Sequence, residues 1–425
     1  MNDLPHARRG AHLVAGDRGL VAGPLWARLW ARGRARVFER VIESIDKGLE
    51  YGTIEGRLPD GSTRIVGGRG DGPYAVCEIT SWMALVRLAN SGSVGWYVAW
   101  SRGEWTSPDP VAIFDLFMRN ARSLGGVARA KGVWRIAKRL IHRFNGNSAR
   151  GAKRNIAAHY DLGNDFYAAW LDETMSYSSA IFAGDGPLED AQRRKIEAIA
   201  DRLALAPGDR LLEIGCGWGY LANRFADRGI STTAITLSEE QRAWAEQRYL
   251  ADGKPLRFEL IDYRAMTGQF DGIASVEMVE AVGQEYWPQY LDCIARCLKP
   301  GGRAAIQYIA IDDAIFADYA ASADFIQTYI FPGGMLLSTE RFRALAQERG
   351  LVWSDETRFG GDYAETLKQW RERFDLAVKE KRLPTGFDKQ FRDLWRYYLM
   401  YCEGGFRGGG IWVAQVTLAK GQPGR

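Results

Sequence analysis

The stretch Glu213-Ile214-Gly215-Cys216-Gly217-Trp218-Gly219 constrains this chain more than any other, because it sits between an apolar run at 211–214 and a helix-forming segment at 220–228. Glycines at that spacing permit a tight turn and let a ligand approach the backbone closely. The first amides of the helix that follows are free to hold a carboxylate or phosphate. The surrounding pattern agrees with a strand that empties into such a turn. Residues 211–214, 231–236, 256–260, 272–276 and 303–309 read as strands, and 191–205, 220–228, 239–249 and 289–297 read as helices. Strands alternating with helices give a mostly parallel sheet covered on both faces, so the fold class is α/β, doubly wound and Rossmann-like.

A glycine turn alone also serves dinucleotide enzymes, which place an acid at the end of the second strand. Here that strand ends Ala234-Ile235-Thr236-Leu237-Ser238, with no carboxylate before Glu239. Together with Leu298-Lys299-Pro300-Gly301-Gly302 ahead of a strand, the turn resembles the class I domain that binds S-adenosylmethionine (SAM).

The first part of the chain differs in charge. Residues 1–158 carry 25 Lys/Arg and 13 Asp/Glu, and the remainder carries 31 and 39. A basic face attracts nucleic acid or anionic lipid head groups. The segment 24–45 alternates Trp26, Leu29, Trp30, Val37, Val41 and Ile42 with arginines, which suits an interfacial amphipathic helix or a helix packed on its own domain. Short extended runs at 51–54, 63–66 and 75–79, with turns at Asp60-Gly61 and Gly67-Gly68, predict a small antiparallel sheet in a mixed α/β module. A Gly/Asn/Ser-rich linker at 143–155 divides the chain into domains at 1–150 and 151–425. No apolar run approaches the roughly 20 residues that span a bilayer, and residues 1–10 are polar, so the expected location is cytoplasmic, peripheral on the inner face of the membrane. Five cysteines without regular spacing fit that compartment. Cys293 and Cys297 share a helix face, but no histidine lies near them, and no metal is expected.

Five further motifs carry a closer resemblance: His159-Tyr160-Asp161-Leu162-Gly163-Asn164-Asp165-Phe166-Tyr167, Met175-Ser176-Tyr177-Ser178-Ser179, Ser275-Val276-Glu277-Met278-Val279-Glu280, Tyr329-Ile330-Phe331-Pro332-Gly333-Gly334, and Tyr397-Tyr398-Leu399 through Cys402 to Phe406-Arg407. Over about 155–420 the chain resembles the cyclopropane-fatty-acyl-phospholipid synthases and mycolic-acid cyclopropane synthases. Residues 40–125 look more loosely like the N-terminal domain of the phospholipid-acting members. The resemblance implies a lipid-docking N-terminal domain, a SAM-dependent catalytic domain, unsaturated phospholipid acyl chains and an anionic membrane surface as partners, and a homodimer. In this family the cofactor is SAM, accompanied by a bound bicarbonate as general base.

The roles it implies fall on particular residues. Tyr177, Ser178, Glu213, Gly215, Cys216, Gly217, Trp218 and Gly219 line the cofactor site. Thr236, Leu237, Ser238 and Gln241 hold the ribose and methionine ends, and Asp262 and Tyr263 the adenine side. Glu280, Tyr363 and the backbone of Ile309 hold the bicarbonate, Cys402 matches a candidate active-site thiol, and His159 belongs to the first motif. Ser179 stands where the family has cysteine, Gln307 where it has histidine, and Ala281 where many members have histidine. Serine and glutamine still donate hydrogen bonds but add no positive charge.

An alkene is a weak nucleophile, so methyl transfer to it needs a dry, aligned site and aromatic faces for the chain cation. Tyr308, Phe316, Tyr319, Phe325, Tyr329 and Phe331 cluster in 308–331, where some are expected to line an acyl tunnel and the rest to form core. Proton loss from the transferred methyl closes a cyclopropane ring, whereas loss from the chain leaves a methyl- or methylene-branched product. The base decides by its position. Ring closure to a cyclopropane fatty acid is what the resemblance implies, with a methyl- or methylene-branched chain and a non-catalytic SAM- and lipid-binding protein as the alternatives. A nucleic-acid methyltransferase would show a polar base-presenting motif where this chain has Glu277-Met278-Val279-Glu280, so no nucleic acid is expected as a partner.

Overall fold

The computed structural model describes residues 9–15, 35–125, 162–250, 253–321 and 323–421. They form two compact units. One comprises Met1–Phe144, Asp312–Pro332 and Thr385–Ile411, and the other Asn145–Ile311, Gly333–Pro384 and Trp412–Arg425. The linker expected at 143–155 and His159 lie outside the described residues.

The larger unit is built on a seven-stranded sheet in the order β10-β11-β9-β8-β5-β6-β7. Its strands are β5 (Arg210–Ile214), β6 (Ser231–Thr236), β7 (Leu256–Leu260), β8 (Phe270–Val276), β9 (Leu298–Ile311), β10 (Leu351–Arg358) and β11 (Ile411–Lys420). The five strands read from the sequence pair in parallel, β7 to β6 to β5 to β8 to β9. Both faces are apolar. On one, Ile196, Ile199 and Leu203 of the helix Leu188–Leu203 recur at helical spacing and bury against Leu211, Ala274 and Ala305. Further along the same face, Ala222, Ala226 and Ala245 pack with Ala234 and Phe258, the alanines letting the helices lie close to the strands, while Leu212, Ile273 and Ala304 are buried on the opposite face. The strand order reverses between β5 and β8, and a crevice at the carboxyl ends of those strands is where open α/β sheets bind ligands. The pattern of alternation did not disclose β10 and β11, which pair antiparallel and extend the sheet beyond β9.

The other unit holds a four-stranded sheet, β2-β1-β3-β4, made of Thr53–Arg57 (β1), Thr63–Gly67 (β2), Tyr74–Ile79 (β3) and Trp105–Thr106 (β4). It is mixed rather than antiparallel, because β3 does not fold back on β2 but pairs in parallel with β1 on its far side. The helix Pro110–Arg119 starts as Pro108-Asp109-Pro110 suggests. Asp109 accepts from the Val111 amide at 3.1 Å, and proline occupies the first turn. The helix Lys389–Arg407 packs on it so tightly that a Cβ on Gly404 would lie 2.6 Å from the Val111 carbonyl oxygen.

A single cut near 150 therefore does not follow the contact units: 312–332 and 385–411 group with the N-terminal residues. The reason is aromatic packing. Tyr97 meets Tyr329, Phe325 and Tyr397 at centroid distances of 4.7, 5.0 and 5.0 Å. Phe325 and Tyr329 are thus core, and Phe316 is buried with them. Tyr308 belongs to the larger unit, tilted against Phe342 and edge-on to Trp353. In the segment 24–45, residues 24–34 fall outside the description, and a helix runs Ala35–Gly48. There Ile45 is buried and Asp46 accepts from the Gly67 amide at 2.8 Å, as in a helix packed on its own domain. Residues 35–125 carry 10 Lys/Arg and 11 Asp/Glu, so the basic excess lies in 1–34 and 126–158, most of which is outside the described residues.

Candidate active site

The loops that leave β5 and β8 meet at the switch point. Gly215, at φ 83°, lies so close to the second loop that a Cβ would stand 2.7 Å from the Met278 side chain. Gly217 (φ 50°) and Gly219 (φ 83°) complete the turn, and a Cβ on Gly219 would reach Phe258 at 2.7 Å. All three angles favour glycine, and at Gly215 and Gly219 the space excludes a side chain as well. Glu213, just before the turn, keeps Oε2 buried without a partner, and burial pushes its carboxyl up to about 8. Gln241 also has a buried, unpartnered Nε2, because its Oε1 is met by Thr236 Oγ1 at 3.3 Å. Ser238 caps the helix Glu239–Tyr249, and Leu237 is half-buried beside it. Asp262 is forked by Arg264 at 2.8 and 2.7 Å, and Tyr263 has a buried hydroxyl without a partner. Orphaned donors and acceptors around a glycine cradle fit a polar ligand such as SAM. Two predicted cofactor residues act less directly. Trp218 donates its indole N–H to Asn164 at 2.7 Å, and Cys216 is buried, its thiol pushed up by burial and by Glu213.

The second cluster lies behind Tyr177-Ser178-Ser179. The Ser179 amide donates to Glu277 Oε1 at 2.8 Å, and Gln307 Nε2 donates to the same oxygen at 2.8 Å and to the Ser179 carbonyl at 3.1 Å. Tyr363 adds a hydrogen bond to Glu277. Gln307 Oε1 in turn accepts from Gln415 at 3.0 Å. Glu280 accepts from the Ile309 amide through Oε1, while its Oε2 is buried without a partner. Burial, and then the Glu277 charge, push the Glu280 carboxyl up to about 8. Glu277 is raised by burial too, but Gln307, Ser179, Lys195 and Tyr363 all oppose the rise. Two buried carboxylates of unequal affinity for a proton make an acid–base pair.

The structure thus brings Ser179, Gln307, Ile309, Glu280 and Tyr363 into one cluster. Cys402 belongs to the other compact unit, where burial and Asp324 push its thiol up and keep it protonated. Two residues of the cluster had no role assigned from the sequence. Glu277 lay inside a quoted motif, but its left-handed backbone (φ 48°) and its partners are tertiary facts. Strain of this kind concentrates at functional sites. Lys195, only 2% exposed, donates to Ser178 Oγ at 2.7 Å and to Gln192 Oε1 at 2.5 Å. Its one sequence signal is a charge on the apolar face of the helix Leu188–Leu203. Cys293 and Cys297 are fully buried and hydrogen-bonded to each other, which makes them packing thiols.

Comparisons agree with this geometry. The sequence model of the mycolic acid cyclopropane synthetase family matches residues 147–416. The chain is 40% identical over 349 residues to the tuberculostearic acid methyltransferase of Mycobacterium tuberculosis, covering 79% of this chain and 81% of that protein. It is 34% identical over 336 residues to the cyclopropane-fatty-acyl-phospholipid synthase of Escherichia coli, covering 79% and 85%. A solved cyclopropane synthase from Mycobacterium tuberculosis superposes with a TM-score of 0.58 at 30% identity, covering 63% of this chain and 98% of that one. A mycolic acid cyclopropane synthase complexed with SAH and CTAB does so with the same TM-score at 28% identity, covering 63% and 98%. The chain belongs to the mycolic acid cyclopropane synthetase family and is a SAM-dependent methyltransferase of unsaturated lipid chains.

Proposed function

We propose that this enzyme methylates the double bond of an unsaturated acyl chain in a membrane phospholipid, with Glu277 and Glu280 as the proton-handling pair, giving a branched chain that keeps an alkene. The observation that carries this reading is the commitment of the Ser179 amide, the Gln307 amide and Tyr363 to the Glu277 carboxylate. Tyr363 and the Ile309 amide are the donors expected to hold a bicarbonate ion, and here they meet Glu277 and Glu280 instead. An added anion beside an ionised Glu277 would also be electrostatically disfavoured. Bicarbonate does not fit the residues as they stand, and no step is assigned to it.

When bound, SAM supplies the electrophilic methyl that the alkene takes, leaving positive charge on the acyl chain. Tyr177, half-buried on the turn 177–179, offers a π-face to such a cation. The less basic Glu277 is the ionised member of the pair and accepts the proton. Glu280 keeps its proton on Oε2 near neutral pH. Residues 1–34 and 126–158 carry 15 Lys/Arg against 2 Asp/Glu, which suits an anionic phospholipid surface. A second reading, ring closure to a cyclopropane, is favoured by the likeness to the Escherichia coli cyclopropane-fatty-acyl-phospholipid synthase.

Mass spectrometry of acyl chains after incubation with SAM and monounsaturated phospholipid vesicles separates the readings. A gain of one CH₂ with the alkene retained supports the branched product. The same gain with the alkene lost supports the ring. No gain, with SAM bound, removes the catalytic claim for this substrate.

A further inference from the structure

A lysine ammonium enclosed among carboxylates is the feature of this domain that the chemistry above leaves unused. Five side chains surround Lys195. Ser178 meets it from the turn 177–179, and Gln192 from its own helix. Burial pushes its ammonium down to about 8, and Glu277 from the loop after β8, Asp172, and Glu213 from β5 oppose that fall, so it is charged below about pH 8. Asp172 Oδ1 and Glu213 Oε2 are themselves buried without partners. Burying an ammonium costs several kcal/mol in principle, and it is tolerated only where opposite charge compensates. Here one cation serves three carboxylates that belong to both halves of the site, the cofactor turn and the proton-handling cluster.

Building on the function proposed above, we propose that Lys195 is a positioning residue for methyl transfer: its ammonium fixes the Tyr177–Ser179 turn through Ser178 and is the counter-charge that keeps Glu277 ionised beside a protonated Glu280. The groups facing Glu277 define what else could do this. They are Gln307 on β9, the Ser179 amide, Tyr363 on the helix Gly360–Lys379, and the like charge of Glu280. Gln307, Ser179 and Tyr363 are neutral, and Lys195 is the positive charge that acts on Glu277 beside them. Without it, Glu277 and Glu280 become more nearly equal in proton affinity, and the pair's lower apparent pKa rises.

The test compares the pH profile of kcat/KM for wild type, Lys195→Met and Lys195→Arg on SAM and monounsaturated phospholipid vesicles. The acid limb of Lys195→Met is expected to move up by about one pH unit, with about tenfold lower kcat/KM on that limb. Lys195→Arg should bring the limb back toward wild type. A uniform loss across all pH values with the limb unmoved, or a limb that moves down, overturns the proposal and leaves a purely structural lysine. If wild type itself makes no acyl product, the function reading fails, and thermal melting answers the remaining question without turnover. Lys195→Met should then lose Tm more steeply than wild type between pH 5 and about 7, because a more basic Glu277 holds its proton only in the folded state. Equal slopes would overturn the proposal independently of substrate.

Discussion

Gln307 spends its side-chain amide on Glu277, donating to Oε1 at 2.8 Å, and the Ser179 amide meets the same oxygen at the same distance. The Gln307 side chain and the Ser179 backbone thus converge on one carboxylate. That convergence predicts that Glu277→Gln lowers kcat by about 10²–10⁴, the range of a lost general base. SAM affinity, measured by calorimetry, should stay within about threefold of wild type, because the cofactor cradle is built from other residues.

Removal of dissolved bicarbonate provides a separate check. In degassed, CO₂-free buffer at constant pH, the rate should be unchanged within error. A loss of rate restored by added bicarbonate would return the base to the ion and leave Glu277 a structural partner.

The raised carboxyls make stability depend on pH with a definite sign. Glu213 and Glu280 go from a usual value of 4.5 to about 8 on folding. Between those values the folded chain binds more protons than the unfolded one, so stability falls as pH rises. The Tm of ligand-free protein should therefore drop by several °C from pH 5 to 8. Glu280→Gln should flatten that slope, read by calorimetry across the same range.

The glycine turn is expected to be unequal in its tolerance. At Gly219 a Cβ would reach Phe258 at 2.7 Å, whereas at Gly217 nothing lies within 4 Å. Gly219→Ala should cost about 1–3 kcal/mol of stability by overpacking and weaken SAM binding. Gly217→Ala should cost only the backbone term, about 1 kcal/mol. Paired melts and SAM titrations check the difference.

Much of this was written locally. The turn 213–219, the alternation of strands and helices, and the cap at Asp109 depend on residues near one another in sequence, and periodicity exposes them. The same holds for Thr236 and Asp262, which lie at the ends of strands that the alternation exposes, whereas Tyr177 comes from the resemblance of its motif. Other features depend on long-range pairing. β11 enters the sheet between β9 and β10, which no local pattern encodes. Residues 312–332 and 385–411 leave the catalytic unit because their aromatic side chains find Tyr97 and Phe114, far off in sequence.

The proton-handling cluster shows the division most sharply. The sequence determined a SAM-type α/β domain and a carboxylate, Glu280, at the end of its fourth strand. Only the tertiary structure decided that Glu277 is the carboxylate held by Ser179 and Gln307, 98 and 30 residues away. It also decided that Lys195 is buried near it. The reason is that hydrogen bonds and burial act through space. A residue's chemistry is legible in the chain, but the field that tunes it belongs to neighbours that only folding assembles.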